Sequence, residues 1–293
     1  MAKKNKLDLS LPAIEKYFDK ESIKSFTEKK FSEILNKNSH DWNIKPTSNK
    51  GRVLDYLLKR EMLLKNSFIN DSNEVKLIYS WKIQDEYTII SGLKSDSYFA
   101  YYSSLFLHQL TLQIPKTVYL NFEHKSEKRS NDSGTNLTQD AIDNAFNGSQ
   151  RKSSLTFSFN DKKIVLTNGK FTNKLGVVKR HNNNQWFEYT NLERTLIDIA
   201  VRPAYAGGVF EVIEAYKIAK GKLNVSRMSK YLEKLDYIYP YYQVIGFYLE
   251  KAGYADRDVE FFIKEMKFNF YLTYDIRRKE FSEKWKLYYP KGI

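Results

Sequence analysis

The sequence has 293 residues and no cysteine, and its apolar residues never form a long uninterrupted run. The lack of cysteine excludes disulfides, thiolate metal sites and thiol catalysis, and it fits a reducing compartment. A membrane-spanning helix needs roughly 20 consecutive apolar residues, and a signal peptide needs an apolar segment behind its basic start. Neither pattern is present, so the sequence predicts a cytoplasmic protein that does not enter a membrane.

Motifs for catalysis and metal binding are also missing. No P-loop occurs, and Asp256-Arg257-Asp258 lacks the Gly-Ser turn that nucleotidyltransferases carry a short way upstream. Gly207-Gly208 precedes a helix, where amides can cradle a phosphate, but a turn between two helices explains the pair better. The four histidines lack zinc-ligand spacing; they are His40, His108, His124 and His181. We therefore predict a protein without enzymatic activity, cofactor or metal.

Positive charge and aromatic residues are abundant. The net charge is +13, and lysine and arginine exceed acidic residues mainly towards the two ends of the chain. A basic protein of this size is a candidate for binding nucleic acid, although a lysine-rich surface also serves solubility. The 42% hydrophobic content is enough to build real cores, which argues against global disorder.

The sequence of the amino-terminal part predicts three helices followed by a β-hairpin. The helices are expected over residues 11–18, 27–36 and 49–62, behind a basic tail at 1–10, and the hairpin strands over 63–64 and 75–81. Ser25 and Glu28 have the spacing of a capping box at the start of the second helix. This order is that of a winged helix-turn-helix, in which the third helix enters the major groove of DNA.

Residues around the third helix and the hairpin have side chains that bond phosphates and base edges. The predicted DNA contacts are Lys45, Thr47, Ser48, Asn49, Lys50, Arg52, Lys59, Arg60, Lys65 and Lys76. Asn49 and Arg52 are expected to contact bases. Asp71 and Glu74 at the hairpin tip would repel phosphate, so a module that never meets DNA remains an alternative.

Beyond this module the sequence predicts a second domain of a different kind. We expect a DNA-binding domain over residues 1–84 and a further domain over 85–293, mixed α/β to residue 190 and mainly helical from 191. In the mixed part we expect a helix over 98–110. Near the end of the chain we expect a helix over 257–266 and a strand over 267–276. The fold class is therefore α+β.

One stretch, residues 190–208, organises the second domain. Thr190 or Asn191 is expected to cap a helix that Pro203 ends. Arg194 and Asp198 are four residues apart and can pair along one helical face. The ordinary interpretation is a solvated ion pair on an amphipathic helix.

Together these features resemble the AbiEi-type antitoxins, which belong to type IV toxin–antitoxin systems of abortive infection and phage defence. Two blocks carry the resemblance: residues 103–119, and Leu192–Asp198 continuing into Arg202-Pro203 and Gly207-Gly208. The winged-helix pattern adds to them. The family motif in this chain comprises Glu193, Arg194, Asp198, Arg202, Gly207 and Gly208.

The resemblance implies a function in two parts. The amino-terminal domain would bind inverted repeats in its own promoter and repress its operon. The second domain would neutralise a nucleotidyltransferase-like toxin without a stable complex, with the motif as the hinge on which the carboxy-terminal helices are arranged. The alternative is a metal-dependent nuclease or nucleotide-modifying defence enzyme, with carboxylates such as Glu193, Asp198, Asp256 and Asp258 around a metal.

Overall fold

The computed structural model describes residues 6–45, 50–125, 137–182 and 185–293 and has an α+β fold. The helices are α1 Lys6–Lys20, α2 Glu28–Asn38, α3 Lys50–Lys59, α4 Glu86–Ser91, α5 Tyr101–Leu107, α6 Gln139–Asn147, α7 Leu192–Val201, α8 Val209–Ala219, α9 Val225–Leu235, α10 Tyr241–Lys251 and α11 Asp256–Val259. The strands are β1 Ser25–Phe26, β2 Leu63–Asn70, β3 Val75–Trp81, β4 Tyr98–Phe99, β5 Thr117–Glu123, β6 Thr156–Phe159, β7 Lys162–Gly169, β8 Val177–Asn182, β9 Gln185–Thr190, β10 Phe270–Tyr271, β11 Lys279–Ser282 and β12 Leu287–Pro290. In the described residues no helix is both long and apolar enough to cross a bilayer.

The chain divides into two compact units. The first comprises Met1–Tyr98 with Leu155–Ile164 and Lys179–Glu188, and the second comprises Phe99–Ser154, Val165–Val178 and Tyr189–Ile293. The sequence placed a domain boundary at residue 84, whereas the first unit continues to Tyr98 and includes two later segments. One of those segments contains β6, which extends the amino-terminal sheet by pairing with β2.

The first unit contains α1 to α4 and a sheet with strand order β1-β3-β2-β6. The β2–β3 hairpin pairs in antiparallel register from Leu63 opposite Trp81 to Ile69 opposite Val75. β1 lies between α1 and α2 in the chain and pairs with the other edge of β3. The hairpin predicted from the sequence is thus present, with a longer first strand.

Aromatic packing joins the helices and strands of the first unit. The Phe18 ring of α1 stacks on Trp81 of β3 at 4.7 Å between centroids and on Phe26 of β1 at 5.4 Å. Leu7 and Ile14 share that buried face, so the helix begins by Lys6 and the expected basic tail is wrong for residues 6–10.

The ends of α2 and α3 also differ from the predicted ones. Thr27 caps α2, because its hydroxyl accepts from the amide of Lys30 at 3.2 Å, whereas Ser25 lies in β1. α3 ends at Lys59, three residues before the predicted end, because Glu61 adopts a left-handed backbone with φ 58°.

In the second unit, α7 is the central helix. It packs against α5, α8, α9 and α10, and its residues Leu196, Ile197 and Ile199 are fully buried. In this unit β7, β5 and β4 are neighbours in that order, and Phe99 of β4 pairs in parallel with Tyr189 at the end of β9. The helix expected over residues 98–110 therefore begins later, at Tyr101.

The carboxy-terminal tail forms a small sheet in place of the predicted helix and strand. Where a helix over 257–266 was expected, α11 covers one turn and a 3-10 turn follows at Glu260–Phe262. The expected strand over 267–276 is reduced to β10, which pairs with β12 of the β11–β12 hairpin. The Trp285 ring in that hairpin is fully buried and lies where a Cβ on Gly246 of α10 would be, so the tail packs directly on α10.

Candidate functional site

Two regions carry the residues that the sequence singled out: the surface of α3 in the first unit and the surroundings of α7 in the second. Of the predicted DNA contacts, Thr47, Ser48 and Asn49 lie outside the described residues. Six others are exposed: Arg60 forms an ion pair with Asp8, and the remaining five are Lys45, Lys50, Arg52, Lys59 and Lys65. No carboxylate within the described ranges lies at ion-pairing distance from any of these five cations.

The outward face of α3 carries both signs of charge. Val53, Leu54 and Leu57 are buried, and with a helical period of 3.6 residues the opposite face presents Arg52 and Lys59. Asp55 is exposed on the same face, between these two cations. The face is therefore basic with one acidic group at its centre.

Arg60 and Lys76 are engaged inside the first unit. Arg60 forms an ion pair with Asp8 of α1, which also accepts from the Tyr56 hydroxyl. The Lys76 ammonium donates to the carbonyl of Leu93 at 2.7 Å, and burial lowers its pKa. Neither cation is as available to a phosphate as the five exposed cations that have no acidic partner in the described ranges.

The Arg194–Asp198 pair of α7 is buried, so the interpretation as a solvated surface pair is wrong. Nε of Arg194 donates to Oδ1 of Asp198 at 2.7 Å, and the two side chains are 7% and 6% exposed. Nη1 of Arg194 also donates to the carbonyl of Leu175 at 2.8 Å. Arg194 therefore links the first turns of α7 to the segment before β8, while Asp198 compensates its charge.

The neighbouring motif residues join α7 to α9. Asn191 caps α7, because its side-chain oxygen accepts from the amide of Arg194 at 3.0 Å. The Glu193 carboxylate accepts from the amide of Asn224, the residue that caps α9, at 3.3 Å. Glu193 is only 4% exposed, so it has a structural position between the two helices.

Gly207 and Gly208 form the turn between α7 and α8. Their φ values are 82° and 100°, in the left-handed region that favours glycine. The amide of Gly208 donates to the carbonyl of Pro203 at 2.8 Å, which closes the turn. The pair thus makes the helix–helix turn that the sequence favoured.

A cavity of about 930 Å³ lies beside α7, within the second unit. Its lining includes five cationic side chains and two carboxylates, which leaves an excess of positive charge. The cations are Arg151, Lys152, Lys170, Arg194 and Arg202, and the carboxylates are Asp198 and Asp236. Six tyrosines complete the wall, namely Tyr101, Tyr205, Tyr237, Tyr239, Tyr241 and Tyr274.

The charged side chains of the cavity differ in how strongly they are already bonded to other groups of the protein. Asp198 is paired with Arg194, and burial raises its pKa against the opposing effect of Arg194 and Arg202. Lys170 donates to the carbonyls of Leu235 and Asp236 at 3.0 Å each, at the end of α9. Arg202 makes a weaker contact, 3.4 Å from Nη1 to the Arg151 carbonyl.

The sequence does not predict this cavity, because the residues that line it come from many separate segments of the chain. Arg202 belongs to the motif, but Arg151 and Lys152 lie in a connection that carries no pattern of its own. The tyrosine-rich stretch from Tyr237 to Tyr242 is the one local signal, and it lies in the part of the chain that the sequence predicts to be mainly helical.

The carboxylates considered for a metal are not gathered in one place in the structure. Glu193 and Asp198 take part in the contacts given above, while Asp256 and Asp258 belong to the short helix α11. Among the residues that the structure describes, no group of three or more His, Cys, Asp or Glu side chains is placed to hold a metal ion.

Comparison with known proteins gives a likeness of fold. The chain is similar to the crystal structure of the RV2827C protein from Mycobacterium tuberculosis, with a TM-score of 0.53 and 11% sequence identity. The alignment covers 96% of this chain and 91% of that chain. No family model matches the sequence, and no curated protein matches it. At this low identity the likeness concerns the fold alone.

Proposed function

We propose that this chain is an AbiEi-type antitoxin that represses its own operon through an amino-terminal winged helix-turn-helix. The observation that carries the proposal is the order helix, strand, helix, helix, strand, strand over α1–β1–α2–α3–β2–β3, with β1 paired to β3. A winged helix-turn-helix has this order and pairing, and its third helix is the one that enters the major groove.

The exposed cations of α3 supply the chemistry for DNA. Arg52 lies on the outward face, where a guanidinium can bond guanine O6 and N7 together. Lys50 and Lys59 lie at the two ends of the helix and suit phosphates on either side of the groove. Arg60 and Lys76 are left out of this contact set because their cationic groups already have partners in the first unit.

Binding to DNA from upstream of the gene tests this part of the proposal. Fluorescence anisotropy over a salt series would compare the wild type with Lys50→Ala and Arg52→Ala. Lys50→Ala is expected to weaken binding to all sequences alike and to reduce the salt slope by about one. Arg52→Ala is expected to cost about 1–3 kcal/mol on the preferred sequence and to relax specificity. Unchanged affinity in both variants would refute the assignment of α3.

The antitoxin role draws on the resemblance and on the place of the motif residues in the second unit. Arg194, Asp198 and Glu193 hold α7 to its neighbours, which fits the proposed role as the hinge of the carboxy-terminal helices. Co-expression with a nucleotidyltransferase encoded by the adjacent gene tests this role. Growth should be restored by the full chain, and continued growth arrest with both proteins present would contradict it.

A further inference from the structure

We propose that the cavity beside α7 is a nucleotide-binding site, in which Arg151, Lys152 and Arg202 bind the phosphates and the tyrosine wall holds the base. This goes beyond promoter recognition, which belongs to the first unit, and the two are tested separately below.

The proposed phosphate-binding end consists of three cationic side chains that line the cavity. Arg202 is half-buried, and Arg151 and Lys152 are exposed at positions consecutive in the chain. None of the three has a carboxylate at ion-pairing distance in the described ranges. Cations that line a cavity and lack an acidic partner are suited to a ligand with several negative charges, such as a di- or triphosphate.

At the aromatic end, two of the lining tyrosines stack on phenylalanine rings that do not line the cavity. Tyr274 stacks on Phe146 at 4.2 Å between centroids, with an interplanar angle of 22°. Tyr239 stacks on Phe270 at 5.8 Å and 26°. Rings held in this way lose little freedom when a planar ligand stacks on them, and every nucleobase has a face that stacks on an aromatic side chain.

A hydrogen-bond acceptor in the lining is left without a donor. Oε1 of Gln150 is buried and has no hydrogen-bond partner in the described part of the chain. A buried acceptor without a donor is costly, and because the atom is buried, a ligand in the cavity would reach it only after the Gln150 side chain turns. The volume of about 930 Å³ falls within the range of about 300–1,000 Å³ that small-molecule sites occupy.

The backbone at one wall of the cavity is also unusual. Tyr101 begins α5 with φ 52°, in the left-handed region that a bulky residue rarely adopts. Its ring meets that of Tyr205 edge-on at 5.1 Å, and the Arg202 guanidinium lies 5.5 Å from the Tyr205 centroid. The strained residue thus belongs to the ring cluster that positions Arg202.

Isothermal titration calorimetry of the full chain tests the proposal, with the four common nucleoside triphosphates, inorganic triphosphate and adenosine as probes. We expect saturable binding of at least one nucleoside triphosphate. It should bind about tenfold or more tighter than inorganic triphosphate, because base stacking on an aromatic side chain contributes about 1–3 kcal/mol. A 5′-phosphorylated trinucleotide serves as a further probe, and its affinity relative to the mononucleotide shows whether the site takes a free nucleotide or the end of a strand.

The variants separate the two ends of the site. Arg202→Gln should weaken nucleotide and inorganic triphosphate alike, by about 10- to 100-fold. Tyr237→Ala should weaken the nucleotide and leave inorganic triphosphate unchanged. Arg257→Gln is the matched control, because Arg257 is exposed on α11 in the same unit and does not line the cavity. Lys152→Gln repeats the test at an exposed position, where failure to fold is not expected.

Three results would overturn the inference: no saturable binding of any nucleoside triphosphate, equal affinity for inorganic triphosphate, or the same loss in Arg257→Gln as in Arg202→Gln. DNA binding is measured on the same samples. Arg202→Gln should leave the DNA affinity unchanged, and Arg52→Ala should leave nucleotide binding unchanged, so failure of one proposal is distinguishable from failure of the other.

Discussion

The Arg194 guanidinium lies 2.7 Å from the Asp198 carboxylate one helical turn away, and both side chains are more than nine-tenths buried. Nη1 of Arg194 donates to the Leu175 carbonyl at 2.8 Å. Both side chains have lost nearly all their contact with water, so each charge depends on the other for compensation. The pair is therefore sensitive to the loss of one partner in a way that exposed pairs are not.

We expect Asp198→Ala to lower the free energy of unfolding by about 3–5 kcal/mol, because it leaves Arg194 as an uncompensated buried charge. Urea unfolding followed by circular dichroism measures the change. The control is Glu214→Ala on α8, which breaks the exposed Lys217–Glu214 pair of the same 2.7 Å length and should cost under about 1 kcal/mol.

Replacing both partners by apolar residues tests whether the loss of stability comes from an uncompensated buried charge. The double variant Arg194→Met with Asp198→Leu should recover most of the stability lost in Asp198→Ala, since no charge is left buried. If the double variant is less stable than the single one, the contacts of Arg194 with Leu175 matter more than the charge balance.

Gly246→Ala is predicted to destabilise the second unit. A Cβ at Gly246 would lie 2.1 Å from the buried Trp285 ring, so either α10 or the tail must shift. Overpacking of this kind costs about 1–3 kcal/mol. Gly148→Ala is the control, because its added methyl group would meet its nearest atom at 3.7 Å. Thermal unfolding compares the two, and equal midpoints would contradict the packing of the tail on α10.

Asp55→Asn should strengthen DNA binding. Asp55 is exposed on the face of α3 that carries Arg52 and Lys59, and removing one repulsive charge near phosphates is worth about 0.5–1 kcal/mol at low salt. The gain should shrink as salt is added. Anisotropy titrations at two salt concentrations measure it, and Asp41→Asn, at an exposed residue before α3, serves as the control. Unaltered or weaker binding by Asp55→Asn would argue that α3 does not face DNA.

Stability should fall at alkaline pH as buried tyrosines ionise on unfolding. Burial raises the pKa of Tyr271 to about 12, helped by its hydrogen bond to Asp143. A tyrosine in the unfolded chain titrates near 10, so the unfolded state loses its proton first and becomes favoured between pH 10 and about 12. In Tyr271→Phe, the loss of unfolding free energy over this window should be smaller by about 2–3 kcal/mol. An equal pH slope in wild type and variant would contradict it.

Elements with local signals were predicted well from the sequence. The β2–β3 hairpin follows from alternating residues around a polar tip, and α7 is capped by Asn191, one of the two residues expected to do so. The spacing of Arg194 and Asp198 also showed that they could pair. It did not show that the pair is buried, because the burial comes from residues such as Leu175, which are distant in the chain.

The tail and the cavity depend on contacts that no local pattern reveals. The β11–β12 hairpin is positioned by the Trp285 ring, which packs against Gly246, a residue far earlier in the chain. The cavity gathers Arg151, Arg202 and Tyr274 from three separate segments. The spacing of residues in the sequence predicts contacts within one helix or strand. It does not predict contacts between residues that are far apart in the chain.

Repression of its own promoter is the most direct measure of the central claim that the chain is a DNA-binding regulator. A reporter gene placed behind the DNA upstream of this gene would be measured with the wild type, Arg52→Ala and, as the matched control, Arg257→Ala. We predict that the wild type and Arg257→Ala lower reporter expression, while Arg52→Ala restores it towards the level without the protein. Equal reporter expression with and without the wild-type chain would contradict the account.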